Sequence, residues 1–256
     1  MRKYLLKNIC YCTTEQKMDV LAIRNSDAVR KAMYNEHQIG LNEHLGWIEK
    51  LLTDRRQIVM AVLRDSETAV GVVSVNQIDM VHRKADWAFY LDAAERGGVG
   101  SALEIFMIEH VFNVLGLEKL NCEVLETNPG VVAMHLRFGF ADEGFRKGNV
   151  EKDGKRIGVH FLGLEKSNWQ QIGDGIRVAV SERIADIEIS LDTAASSPSQ
   201  SVIDEIQAAR SKNNVNWMNL LRLSVERSPD QSLPIIREIM SMDAEINALT
   251  KRLVEK

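Results

Sequence analysis

The sequence predicts an α+β fold: a mixed, mostly antiparallel sheet flanked by helices, plus a small C-terminal all-α segment. Three observations lead there. "QIVMAVL", "AVGVVSVNQIDM" and "ADWAFYLD" are strand patterns that follow one another across short polar turns, the signature of an antiparallel meander. Helix and single strand then alternate, so the strands before and after the helix Ser101–Leu115 can run parallel through a right-handed crossover. After about Trp169 the aromatics nearly vanish and "LDTAASSPSQS" reads as a loop, which ends the first architecture.

Each element has a local reason. "YLLKNICYC" alternates as a strand, placing Cys10 and Cys12 on one face. Thr13 and Gln16 have capping-box spacing ahead of the helix "QKMDVLAIRN". Ser26 is an N-cap for a second helix, "SDAVRKAMYN". "NEHLGWIEKLL" is a third, with Leu45, Ile48 and Leu52 at helical spacing. Past the meander, Gly116 ends the helix Ser101–Leu115 and Gly139 ends "PGVVAMHLRFGF", with the strand "KLNCEVLE" between them. "KDGK" is the turn of a closing hairpin that finishes in "RIGVHFLGLEK". The domains follow: 1–169 the α+β domain, 170–200 a linker, 201–256 helical.

Composition excludes several function classes. The 256 residues carry a net charge of −4, against the basic surface that nucleic-acid binding requires. No apolar run approaches the ~20 residues of a membrane span, and the start "MRKYLLKNICYC" lacks a signal-peptide core, so a cytoplasmic protein is expected. Three cysteines, Cys10, Cys12 and Cys122, build neither a disulfide framework nor a metal site, and a cysteine within a strand is normally inert.

The chemistry centres on "YLDAAERGGVGSALEIFMIEH". Gly97, Gly98, Val99, Gly100 and Ser101 open a helix whose first N–H groups lack intrahelical partners. Glycines let a ligand approach such a terminus, and its partial positive charge suits a pyrophosphate. The spacing is wrong for a dinucleotide fold, and no GK[ST] follows.

With "HLRFGF" and the order of elements, this cluster resembles the GNAT superfamily of N-acetyltransferases over residues 3–168. The resemblance implies acetyl-CoA as acetyl donor, no metal, and direct transfer to an amine in a ternary complex. It implies that the glycine loop holds the pyrophosphate. Gly98 and Gly100 match the family's small positions, Glu95 replaces the usual Gln or Arg, and Arg96 offers a charge beside it. It implies that Asn128 touches the pantetheine arm, and that a backbone N–H of Phe89, Tyr90 or Leu91 meets the oxyanion. Many relatives place a tyrosine where this chain has His135, which makes His135 the candidate acid. Glu126, at a strand end, is the candidate base, with His44 and His37 as alternatives.

Within the superfamily, "RKAMYNEHQIGLNEHLGWIEKLL", "ADWAFYLD", "LEKLNCEVLETNP" and "GVHFLGLEK" resemble the sugar-nucleotide N-acetyltransferases of pseudaminic-acid biosynthesis. That branch implies acetylation of the 4-amino group of a UDP-linked amino-dideoxy sugar, destined for flagellin glycosylation. Arg30 is then a phosphate partner, and Met33, Tyr34, Trp47 and Trp87 pack on sugar or uracil. His37, His44 and His160 offer hydrogen bonds. Arg146 and Lys147 either face the coenzyme or are plain surface charges. Two rival functions stand beside this one: a protein or small-amine acetyltransferase, for which Glu36, Glu43 and Glu49 are the cap carboxylates, and a degenerate acyl-CoA-binding or scaffold module. The apolar stripe of "IIREIMSMDAEINALTKRLV" must be buried against something, a homodimer mate or a pathway-enzyme partner among the options.

Overall fold

Thr13 opens the first helix as its sequence requires. Its Oγ1 accepts from Gln16 N at 3.2 Å and its N–H donates to Gln16 Oε1 at 3.1 Å, so α1 (Thr14–Asn25) starts from a complete capping box. In this computed structural model the chain divides after Ser197, and the structure describes residues 1–192. The helices and the partner surface expected over 201–256 lie outside the described residues.

The remaining elements are β1 (Arg2–Asn8), α2 (Asp27–Arg30), α3 (Leu41–Leu51), β2 (Ile58–Arg64), β3 (Thr68–Asp79), β4 (Lys84–Leu91), α4 (Val99–Glu109), β5 (Lys119–Leu125), α5 (Pro129–Arg137), β6 (Ala141–Lys152), β7 (Lys155–Glu165), α6 (Lys166–Ile184) and β8 (Ile187–Leu191). They form one eight-stranded sheet in the order β6-β7-β5-β4-β3-β2-β1-β8. Only the pairs β4–β5 and β1–β8 are parallel. This is the mixed, mostly antiparallel sheet that the sequence predicts, meander and crossover included. The hairpin turn carries Asp153 (φ 48°) and Gly154 (φ 71°), the positive dihedrals of a two-residue loop.

Helices cover both faces. Val20 of α1 and Ile48 of α3 pack with Val59, Ala61 and Leu63 of β2 on one face. Leu103 and Met107 of α4 pack with Val73, Trp87 and Leu120 on the other, joined by Met134 of α5 and Ile176 of α6. Among the described residues no helix is long and apolar enough to cross a membrane.

The structure corrects several expectations. The first strand stops at Asn8, whose side chain accepts from Cys10 N at 2.9 Å and starts a 3₁₀ turn, Ile9–Tyr11. Cys10 and Cys12 therefore share no strand face. The second helix keeps its Ser26 cap but lasts only Asp27–Arg30. Cations seize the backbone carbonyls beyond it: Lys152 Nζ donates to Lys31 O and Met33 O, and Arg24 to Asn35 O. On α3 the buried positions are His44 and Ile48 rather than Leu45, Ile48 and Leu52. The helix after the glycines begins two residues early, at Val99, and leaves α-geometry at His110 for a π-turn to Val114. The largest correction concerns 170–191, expected as linker. It is helix and strand, with β8 pairing parallel to β1 from Arg2↔Ile187 to Leu6↔Leu191.

Candidate active site

The parallel pair β4–β5 holds together only over Lys84–Asp86 and Lys119–Asn121. Beyond that, Trp87–Leu91 stays with β3 and Cys122–Leu125 with β7. The strands splay and leave exposed backbone between them, which is where ligands bind in sheets of this kind.

At the splay lies an open cleft of about 810 Å³, lined by the start of α4 and also by Arg24, Val29 and Asn35 from the α1–α2 region. The glycine loop is its floor. Gly97 (φ 72°) and Gly98 (φ 101°) turn the chain so that Gly98 caps α4 without any side chain. The first N–H groups of α4 are therefore left for a ligand. Gly98 is sterically required: a Cβ there would sit 2.4 Å from Arg183 O. At Gly100 the nearest atoms, on Phe89, lie 3.7 Å from such a Cβ, so space alone does not demand glycine. Arg2 braces the loop from below, donating to Arg96 O at 2.9 Å and Gly97 O at 2.7 Å while paired with Asp186.

Glu95, the departure from the family pattern, is turned inward. It accepts from Tyr4 Oη and Arg64 Nη1, each at 2.7 Å, and repels no phosphate in the cleft mouth. The exposed Arg96 lines the mouth, as does Arg183 of α6. Val99 and Ser101 are buried at the helix start. Asn128 caps α5, lines the cleft, and has no side-chain hydrogen bond among the described residues. These groups fit a coenzyme with a pyrophosphate and an amide-bearing arm. Phe89, Tyr90 and Leu91 line the splay with their backbone, on the strand expected to meet the oxyanion.

His135 lies in this cleft and is 4% exposed. Its Nδ1 is 2.7 Å from Glu104 Oε1, and its ring meets Trp87 edge-on at 6.2 Å. Glu104 is completely buried, and burial pushes its carboxyl up. Cys122 also lines the cleft, but burial pushes its thiol up, which removes it as a nucleophile.

A second cavity, about 290 Å³, opens under α1 and α3 on the opposite side of β3 and β4. Tyr90 and Arg24 line both cavities. His44 and Trp47 meet here at 5.6 Å between ring centroids. His44 Nε2 is 2.9 Å from Lys17 O, and a carbonyl can only accept, so Nε2 carries the proton. Burial lowers the His44 pKa and favours the neutral ring, whose Nδ1 is then an acceptor. Arg24 is half-buried and donates to Asn35 O, but its Nη1 is buried with no partner.

The other predicted residues divide between the cleft and the rest of the surface. Glu126 lines neither cavity; its Oε1 accepts from Gly158 N at 2.5 Å, which makes it a strand-end cap rather than a base. Arg30 is held by Asp27 and by Glu36 O, so its charge is engaged locally. Exposed His37 lines neither cavity but pairs at 2.8 Å with Glu43, which lines the second. Trp87 lines the larger cleft, but at 2% exposure it is chiefly a core ring stacked on Phe89. His160 sits beneath Phe145 at 4.8 Å, away from the splay. Met33 and Tyr34 reach the coenzyme cleft, where Tyr34 Oη donates to Glu123.

Sequence reasoning missed Glu104, Arg24 and Arg183. Only Glu104 left a sign, a carboxylate amid the apolar run of "VGSALEIFMIE".

Comparison with known proteins agrees with the geometry. The family model described as "Acetyltransferase (GNAT) domain" matches residues 12–141, half of the chain. No curated protein sequence matches. Among solved structures, a spermidine N-acetyltransferase from Vibrio cholerae in complex with CoA and spermine is similar, with a TM-score of 0.60 and 18% identity. That match covers 65% of this chain and 98% of the other. A chimera of the Vibrio cholerae enzyme and hSSAT gives 0.58 and 19%, with coverage of 65% and 98%. The chain belongs to the GNAT family of N-acetyltransferases, enzymes that use acetyl-CoA as acetyl donor.

Proposed function

We propose that the acceptor is the 4-amino group of a UDP-linked amino-dideoxy sugar, as in pseudaminic-acid biosynthesis, acetylated by direct transfer. The observation that carries this reading is Arg24. A cationic group with a buried, unpartnered nitrogen in the acceptor cavity calls for an anionic or hydroxylated acceptor. It opposes a polycation. The same cavity holds a single carboxylate, Glu43, already paired with His37. Trp47 and Tyr90 offer aromatic surface for a sugar ring.

The chemistry then runs across the splay. His44, held neutral with its proton on Nε2, takes a proton from the incoming amine through Nδ1, directly or through one water. The amine nitrogen bonds to the thioester carbon, and the carbonyl oxygen is met by backbone N–H of Phe89–Leu91. The C–S bond breaks with its electron pair on sulfur, and His135 protonates the thiolate. The small-amine reading is the one the solved neighbours suggest, and the cavity's charge argues against it.

The test is free-thiol release from acetyl-CoA with a panel of amines: UDP-4-amino sugars of altro and gluco configuration, spermidine and a peptide amine. Turnover of the altro sugar alone is expected. Turnover of spermidine alone would overturn the sugar-nucleotide reading and keep the fold. Coenzyme binding without turnover of any amine would favour a binding module.

A further inference from the structure

We propose that Glu104 is the positioning residue of the acid: its buried carboxylate fixes the His135 imidazole so that Nε2 delivers the proton to the leaving sulfur. This rests on the acetyltransferase reading given above.

Glu104 has no exposed surface and lies in the middle of α4 between the buried Leu103 and Ile105. Its Oε1 is 2.7 Å from His135 Nδ1, and its Oε2 is buried with no partner. Replacing such a pair by apolar side chains is commonly neutral or stabilising, so stability gives no reason to keep it. Geometry gives one. The cheap state of a buried pair is electrically neutral. In that state the bridging hydrogen sits either on Oε1 or on Nδ1, and in both arrangements the other imidazole nitrogen, Nε2, bears a hydrogen. The carboxylate thus dictates the tautomer. Nε2 has no partner among the described residues, and His135 lines the coenzyme cleft.

The remaining surroundings leave Nε2 little choice. Trp87 of β4 stands edge-on at 6.2 Å and Phe140 lies at 5.1 Å, flanking the ring. Cys122 on β5 lines the same cleft as a thiol; burial raises its pKa, and Glu104 is among the charges that raise it further. When the C–S bond breaks, sulfur keeps the electron pair and takes the Nε2 hydrogen. The bridging hydrogen ends on Nδ1, the ring leaves neutral, and Glu104 becomes a carboxylate. The proton released by the acceptor amine restores the pair through solvent.

A double-mutant cycle tests this with the full chain. E104Q keeps shape and a hydrogen bond but removes the carboxylate. With any amine the panel turns over, E104Q should lower kcat about tenfold or more and leave the KM for acetyl-CoA within about twofold. The E104Q/H135Q double variant should be no slower than H135Q alone, because Glu104 acts through His135. Multiplying effects, or an E104Q change confined to KM, would overturn the proposal.

Nitrogen-15 NMR of the imidazole decides independently of any acceptor and of any variant's folding. The wild-type protein should show a strongly hydrogen-bonded Nδ1 proton at low field, and CoA should perturb the Nε2 signal. An Nε2 signal indifferent to CoA would overturn it whichever amine is acetylated. If the NMR signature is present and no amine is turned over, it is the acceptor assignment that fails, and the positioned donor stands.

Discussion

The two sides of the splay are built by different means. The coenzyme side is made of backbone: a helix start capped by Gly98, the open edges of β4 and β5, and the turn into α5 at Asn128. The acceptor side is made of side chains on α1 and α3: Arg24, His44 and Trp47, closed by a segment, residues 31–40, with little regular structure. Backbone requirements constrain residue type at fixed spacing. Side-chain requirements can be met from many places. One side therefore depends on a few glycines at fixed spacing, and the other on side chains carried by two helices.

The difference can be broken most severely at Gly98. G98A puts a Cβ 2.4 Å from Arg183 O at a φ of 101°. The dihedral alone costs about 1–2 kcal/mol, and with the backbone clash the loss should reach about 3 kcal/mol, or about 100-fold in CoA affinity. Calorimetric titration with CoA checks it. G100A is the control, since its Cβ meets nothing closer than 3.7 Å. Equal effects of the two would show that the cradle is not set by this contact.

Next in size is the donor. H135F keeps an aromatic ring between Trp87 and Phe140 and removes the proton. Single-turnover rates should fall about 30- to 100-fold while CoA still binds. An unchanged rate would mean that water protonates the thiolate.

The acceptor side gives a smaller and more diagnostic effect. R24Q should raise the KM for a nucleotide sugar about tenfold, the value of one charge-assisted hydrogen bond. For a polyamine the sign reverses, because removing a buried positive charge helps a cation enter. One variant and two acceptors therefore separate the two readings.

What the sequence made legible follows the same division. The meander, the crossover, both caps of α1 and α2 and the glycine loop could be read, because each rests on neighbours in the chain. Residues 31–39 could not. Their loop is held by Lys152, more than a hundred positions away, and by Arg24 and Asn25 bonding carbonyls that a helix would have used. The α6–β8 extension was hidden for a related reason. The loss of aromatics after Trp169 marks a boundary in the sequence, yet α6 continues past it, and a Cβ on Gly173 would lie 2.9 Å from the Trp169 ring, so the helix carries glycine where that indole packs. β8 then gains its partner, β1, from the far end of the chain. Arg183 reaches the cleft only because of that docking.

The weakest effect tests the acceptor side as a folded structure. Burial lowers the pKa of His44, so the unfolded chain binds that proton more readily than the folded one. Stability is therefore full above the unfolded histidine pKa of ~6.5 and declines as pH falls below it. His110, half-buried on α4's π-turn, is shifted the same way by burial and adds to the decline. Wild-type Tm should thus drop between pH 7.5 and pH 5.5, and H44Q should drop less, the residue being the share of His110. CoA binding supplies the contrast. Acidification acts on His44 under α1 and α3, so loss of order there should leave the backbone cradle competent: amide exchange at pH 5.5 should quicken on α3 first and on the start of α4 last. Quickening in the reverse order would mean that the two sides fold as one unit, and that the division argued from their construction does not extend to their stability.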